Sequence, residues 1–194
     1  MESASMTDLV HAAEHDSQKQ DLVRRLQRGE AAALTWTFHQ HHTAVRAFAQ
    51  RLVGDVEAAE DLVQEVFIAL PGAIGRFRGD AALLTFLLSI TVNRARNHVR
   101  AATRRRAAVR RFAREPERAG ENPEHEVSRG QLGARLMRAL DDLPLDQRVV
   151  VVLSEIEERS SVEIATIVGA PEGTVRTRLH HAKRKLRDRL GEAP

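Results

Sequence analysis

The chain of 194 residues has no cysteine and no tyrosine, and its lysines stand only at 19, 183 and 185. Without cysteine, disulfides, cysteine-ligated zinc fingers, thiol nucleophiles and iron–sulfur clusters are excluded. No apolar run reaches the roughly eighteen residues of a membrane span, so no membrane insertion is expected. Glu2, Asp8, Glu14, Asp16 and Asp21 stand where a signal peptide needs a basic start and an apolar stretch, which predicts a cytoplasmic protein. Also missing are a glycine-rich phosphate loop, a nucleophile elbow and paired acids beside a histidine, so neither catalysis nor a cofactor is expected. Of the neighbouring His39, His41 and His42, only the first and last share a helix face, with no carboxylate in the same turns, so no metal site is expected.

What is present suffices for a core: 42% of residues are hydrophobic and 29% charged. The length leaves one large domain or two small ones open. Net charge is only +3, but its distribution is uneven. From Asp55 to Glu65 there are five acids and no base, while Arg94 to Arg118 holds ten arginines against Glu115 and Glu117. Arg176 to Arg189 holds seven bases and Asp188. Any one block also suits a solvated helix face; together they suggest a protein partner for the acidic segment and nucleic acid for the basic ones.

Apolar spacing predicts helices throughout. Leu34, Phe38, Val45, Phe48 and Leu52 make one stripe, with His41 filling a gap. A second helix is expected from about Glu57 to Leu70, with Leu62, Val66 and Leu70 in line, ended by Pro71 and Gly72. Arg76 to Asp80 reads as a loop, and Ala81 to about Arg106 as one long helix. Residues 114–128 contain Pro116, Gly120 and Pro123 and almost nothing apolar, the composition of a linker. Beyond it, Leu132, Leu136, Ala139 and Leu140 form one amphipathic face, and Val149, Val150, Leu153 and Ile156 form another within Leu145 to Glu158. Ser160 and Glu163 have capping-box spacing, Gly169 suits a left-handed helix end, and Pro171 suits the first turn of the next helix.

A short capped helix, a turn and a helix opening with Thr174, Arg176, Thr177 and Arg178 make a helix-turn-helix. Its second helix enters the major groove by its amino end, where Arg pairs bidentately with guanine. Arg176, Thr177 and His180 share the outer face, Val175 and Leu179 are spaced for the core, and Lys183, Arg184, Arg187 and Arg189 suit phosphate contacts. His180 and His181, on different faces, are expected to touch DNA. In the amino-terminal half, Asp61, Gln64 and Glu65 form an acidic stripe opposite Leu62 and Val66, with Ile68 beside it. Along the long helix, Phe86, Ile90, Asn93, Asn97 and Arg100 turn from apolar to polar to basic, which suits a single strand as well as a core stripe emerging into solvent.

Glu163-Ile164-Ala165, Gly169 and Gly173 through Leu179 resemble the carboxy-terminal region of extracytoplasmic-function (ECF) sigma factors, promoter-specificity subunits of bacterial RNA polymerase. Ala59 through Phe67 is similar to that family's core-polymerase-binding helix, Phe77-Arg78-Gly79-Asp80 to its promoter-reading loop, and Asn93 with Asn97 to polar positions of its strand-opening helix. The resemblance implies an all-α protein of two small helical domains joined by a flexible basic linker. It implies a variable arm at 1–17, a polymerase-binding and promoter-melting domain at 18–112, a linker at 113–128 and an upstream-element domain at 129–191. Asp61, Leu62, Gln64, Glu65 and Ile68 would meet core polymerase. Phe77, Arg78, Gly79, Asp80, Phe86, Asn93, Asn97 and Arg100 would meet the melted downstream element. Thr174, Arg176, Thr177, Arg178, His180, His181, Lys183 and Arg184 would meet upstream duplex. An anti-sigma factor contacting both domains is implied too.

The chain departs from the family pattern where Phe86 replaces a usual Trp and where Leu84, Leu88 and Ser89 replace basic or aromatic residues; His181 replaces an Arg. Weak promoter opening is the expectation. Two other readings stand beside this one: a free-standing helix-turn-helix regulator, and a sigma-like adaptor that no longer opens promoters.

Overall fold

A computed structural model describes residues 18, 20–77, 79, 81–112 and 129–191, and every regular element among them is helical. Helix α1 spans residues 20–27 and buries Leu26. Gly29, with φ 71°, turns the chain into α2 (Ala31–Val53), where Arg25 Nε donates to Glu30 at 2.9 Å. Gly54, with φ 73°, ends α2 in the left-handed region that favours glycine. Asp55 then caps α3 (Val56–Ala73) by accepting from the Ala58 amide at 2.7 Å. A 3₁₀ turn over Ile74–Arg76 leads toward α4 (Leu83–Phe112). Helices α2, α3 and α4 pack on one another as the first domain.

The second domain comprises α5 (Arg129–Asp141), α6 (Leu145–Glu155), α7 (Ser161–Val168) and α8 (Glu172–Gly191). The capping box before α7 is present: Ser160 Oγ accepts from the Glu163 amide at 3.3 Å, and Ser160 N donates back to Glu163 at 2.9 Å. Gly169 closes that helix with φ 65°. The two domains share one continuous apolar core, α6 lying on α2 and α7 on α4.

Several local expectations are corrected. Helix α3 continues to Ala73 through Pro71, because only the amide that would meet the Phe67 carbonyl is lost so near the end. In α2 the buried stripe opens with Ala33 and Thr37 instead of Leu34 and Phe38; Thr37 tolerates burial because its hydroxyl donates to the Ala33 carbonyl at 2.8 Å. Leu136 and Ile156 face solvent, Met137 packing in the former's stead. Helix α6 ends at Glu155, three residues early, where Glu158 takes a positive φ of 52°. Pro171 precedes α8 rather than starting it, and its carbonyl accepts from Thr174 at 2.9 Å and Val175 at 3.1 Å. Helix α4 runs six residues past Arg106, to Phe112.

Candidate nucleic-acid interface

Helix α3 divides sharply between its faces. Ala59, Leu62, Val63, Val66 and Leu70 lie in the core, which drives Asp61, Gln64, Glu65 and Ile68 outward. Ile68 is 78% exposed, and the side chains of Asp61, Gln64 and Glu65 have no hydrogen-bond or ion-pair partner among the described residues. By contrast, Glu60 one residue earlier is committed to Arg46 of α2. Leu62, grouped with the outward residues by the resemblance, is 1% exposed and supports the stripe from beneath.

Beside Ile68 lies a patch missed from the sequence. The Phe38 ring sits 4.9 Å from Phe67 and 4.6 Å from His42, with Phe38 itself exposed. The signal was the helical register: Phe38 belongs to the edge of the buried arc centred on Ala33 and Thr37, one residue off. Nearby, burial pushes the His41 imidazole below its ordinary pKa, which keeps it neutral near pH 7. Among the described residues no three His, Asp or Glu side chains gather as metal ligands.

On α4, Asn93, Asn97 and Arg100 stand exposed at spacings of three and four along one side. The apolar beginning of that stripe is different. Ile90 is buried, and Phe86 packs its ring 5.1 Å from Phe77, which is itself only 7% exposed. Both phenylalanines therefore brace the end of α4 against the preceding turn. Arg78 and Asp80 lie outside the described residues; Gly79 has φ 85°. Leu88 is buried, and the Ser89 hydroxyl donates to the Phe86 carbonyl at 2.7 Å, so these two departures from the family pattern are absorbed inside the domain.

Helix α8 buries Val175 and Ala182, which turns Arg176, Thr177, His180 and Arg184 outward. The Arg176 side chain is 71% exposed, with Nη2 2.9 Å from Glu172 one turn earlier. The lateral cations of α8 are engaged by acids of α6 and of the turn before it: Arg178 with Asp146 at 2.8 Å, Lys183 with Glu155 at 2.8 Å and Arg189 with Asp142 at 3.2 Å. The hydrogen bond from Lys183, aided by Ser154, holds the Glu155 carboxyl below its usual range. Thr174 and His181 are half-buried. The eight sequence-predicted residues of this helix thus separate into an outward set, Arg176, Thr177, His180 and Arg184, and a set turned toward its own domain.

Models of two protein families match the chain: sigma-70 region 2 over residues 37–105 and sigma-70 region 4 over residues 133–186. The RNA polymerase sigma-H factor of Pseudomonas aeruginosa is 34% identical over 177 residues, covering 87% of this chain and 92% of that protein. The ECF RNA polymerase sigma-E factor of Escherichia coli is 34% identical over 181 residues, covering 88% and 93%. Among solved structures, the sigma factor RpoE bound to the anti-sigma factor NepR from Bartonella quintana superposes with a TM-score of 0.61 at 25% identity, over 82% of this chain and 98% of that one. The fold is also that of CnrH in complex with the cytosolic domain of CnrY, with a TM-score of 0.64 at 23% identity over 91% and 99%. Both halves match in order and the relatives are matched almost end to end, so the chain belongs to the ECF sigma factors, promoter-specificity subunits of bacterial RNA polymerase.

Proposed function

We propose that α3 docks this sigma factor on core polymerase through Asp61, Gln64, Glu65 and Ile68, with Phe38 and Phe67 extending the contact. The observation that carries this reading is a row of exposed acids without partners among the described residues, on a helix where Glu60 is engaged by Arg46 and Leu62, Val63, Val66 and Leu70 are buried. Asn93, Asn97 and Arg100 then take the melted downstream strand, the amides meeting bases and the guanidinium its phosphates. Arg176, Thr177, His180 and Arg184 read the upstream element as duplex, Arg176 first because it is near the helix amino end and fully outward.

The arginine-rich stretch Arg104 to Arg118 tracks polymerase while the two weak sites cooperate through effective concentration. A relative's structure is a complex with an anti-sigma factor, and we extend this to a protein inhibitor here, one that covers the α3 stripe. The chain performs no catalysis of its own and works in the cytoplasm, where polymerase is. No described helix is long and apolar enough to cross a membrane. Phe86, half-buried and packed on Phe77, offers less ring to a flipped base than an exposed Trp, so promoter opening is weaker than with a Trp-bearing relative. Permanganate footprinting checks this; opening as extensive as the relative's would contradict it. A free-standing regulator is not favoured, since both polymerase-family halves are present.

The test of docking is gel filtration of core polymerase with wild-type chain and with Asp61→Ala. Co-elution of the first and loss of the second supports the assignment, whereas equal co-elution moves the docking surface elsewhere.

A further inference from the structure

The bases of α8 are held in two different ways. Arg178, Lys183 and Arg189 pair with Asp146, Glu155 and Asp142, acids that other parts of the domain bring to the flank of the helix. Arg176 pairs instead with an acid of its own helix, one turn nearer the amino end: its Nη2 donates to Glu172 Oε2 at 2.9 Å. Glu172 is not among the residues that the sequence assigns to DNA.

This pair ties α8 to nothing else. With 71% of the arginine side chain and 39% of the glutamate side chain exposed, it adds little to stability. Among the described residues Glu172 meets no other cation. It also stands where a carboxylate works against DNA affinity. Arg176 to Arg189 holds seven bases and Asp188, and Glu172 sets a negative charge at the end of the helix that enters the groove.

What the carboxylate supplies is direction. A guanidinium carries five N–H donors on a flexible stem, and without a partner its strongest acceptor on a duplex is the nearest phosphate, a contact blind to sequence. Glu172 engages Nη2 from the amino-terminal side and repels phosphate from that place. Arg176 keeps donors for two further acceptors. The guanine edge presents O6 and N7 side by side, both neutral, so it takes them without bringing a second negative charge to the carboxylate. Beside them, the Thr177 hydroxyl gives its proton to the Gly173 carbonyl at 2.9 Å, so this residue turns a methyl group and lone pairs outward and does not compete for the same acceptors.

We propose that Glu172 is a positioning residue for base selection. It holds the Arg176 fork away from phosphate and toward guanine, lowering affinity for every duplex and lowering it least where a guanine is in reach. This rests on the reading of Arg176 as a duplex contact given above.

The test uses holoenzyme, full chain on core polymerase, and an upstream-element duplex taken from a fragment on which the wild type initiates. The same duplex with each G·C pair replaced singly by A·T serves as competitor, and a salt series gives discrimination and salt slope together. Glu172→Gln keeps the size of the side chain and removes its charge. We expect discrimination at one G·C pair to fall about fivefold or more, binding to the mismatched duplex to strengthen, and the salt slope to steepen by about 0.9 as Arg176 gains a phosphate. On an Arg176→Ala background, Glu172→Gln should cost no further discrimination at that pair. Unchanged discrimination with Glu172→Gln, while Arg176→Ala abolishes it, would overturn the proposal and leave the duplex reading standing. A fall accompanied by an unchanged salt slope and a lowered melting temperature would reduce Glu172 to a helix-stabilising residue and overturn it equally. If Arg176→Ala itself leaves every pair as well discriminated as before, the duplex reading fails, and the proposal with it.

Discussion

Helices α3 and α8 carry opposite charges and treat them in opposite ways. On α3, Asp61 and Glu65 are exposed and unpaired among the described residues, held in place only by the burial of Leu62 and Val66 beneath them. On α8, Arg178, Lys183 and Arg189 are each bound by an acid of their own domain, while the arc through Arg176, Thr177, His180 and Arg184 looks outward, as do Lys185 and Arg187 nearer the carboxy end. The acidic helix displays its residue types directly. The basic helix sorts its cations into those that stabilise the domain and those left for DNA, and the sorting follows from where α6 and the turn before it place Asp142, Asp146 and Glu155.

The largest effect that follows is on α3. Asp61→Ala with Glu65→Ala should weaken core binding by roughly 30-fold or more, as expected for central interface residues, with an unchanged melting temperature. Titration of labelled chain with core polymerase gives the first quantity and calorimetry the second. On α8, Arg176→Ala should lower discrimination against a single-base change in the upstream element by about 1–3 kcal/mol, measured by competition binding. Arg178→Ala should change discrimination far less and show instead as lost domain stability; equal effects of the two would erase the distinction drawn above. The fold beneath the recognition helix responds next: Ser160→Ala should cost about 1 kcal/mol through the lost cap. Hydrogen bonds from the Ser160 amide and hydroxyl hold the Glu163 carboxyl below its ordinary value. The stability it contributes is therefore complete above the unfolded value of about 4.3 and is lost as pH falls through the depressed folded value. Part of the Ser160→Ala penalty should fade over that acid range in denaturant melts. Smallest is Arg184→Ala, expected to weaken binding uniformly across sequences and lower the salt slope by about 1.

Much of this was legible in the chain because it is written locally. Capping box, left-handed Gly169, the acidic face of α3 and the order of the two halves depend on spacings of three and four residues, which a helix converts directly into faces. What was not legible depends on the other domain. Val149 to Leu153 are all buried, which one amphipathic face cannot explain; the continuous apolar run is needed because α6 is covered by α8 on one side and α2 and α4 on others. Arg148 within that run reads as an exposed residue, yet it is buried, with burial pushing its pKa down and Asp141 opposing. Phe77 and Phe86 read as DNA-facing aromatics because the family pattern places function there, whereas in this chain each finds the other. Likewise the register of α2 slipped at Phe38, because a buried threonine satisfied by its own helix leaves no hydrophobic mark.

The most direct measurement of the central claim is transcription in vitro: core polymerase, the purified chain and a pool of genomic fragments, with start sites mapped. Initiation is expected at discrete sites that share an upstream element, abolished by Asp61→Ala with Glu65→Ala and redirected or lost with Arg176→Ala. Unselective initiation, or tight duplex binding by the chain alone with no complex on core polymerase, would contradict it.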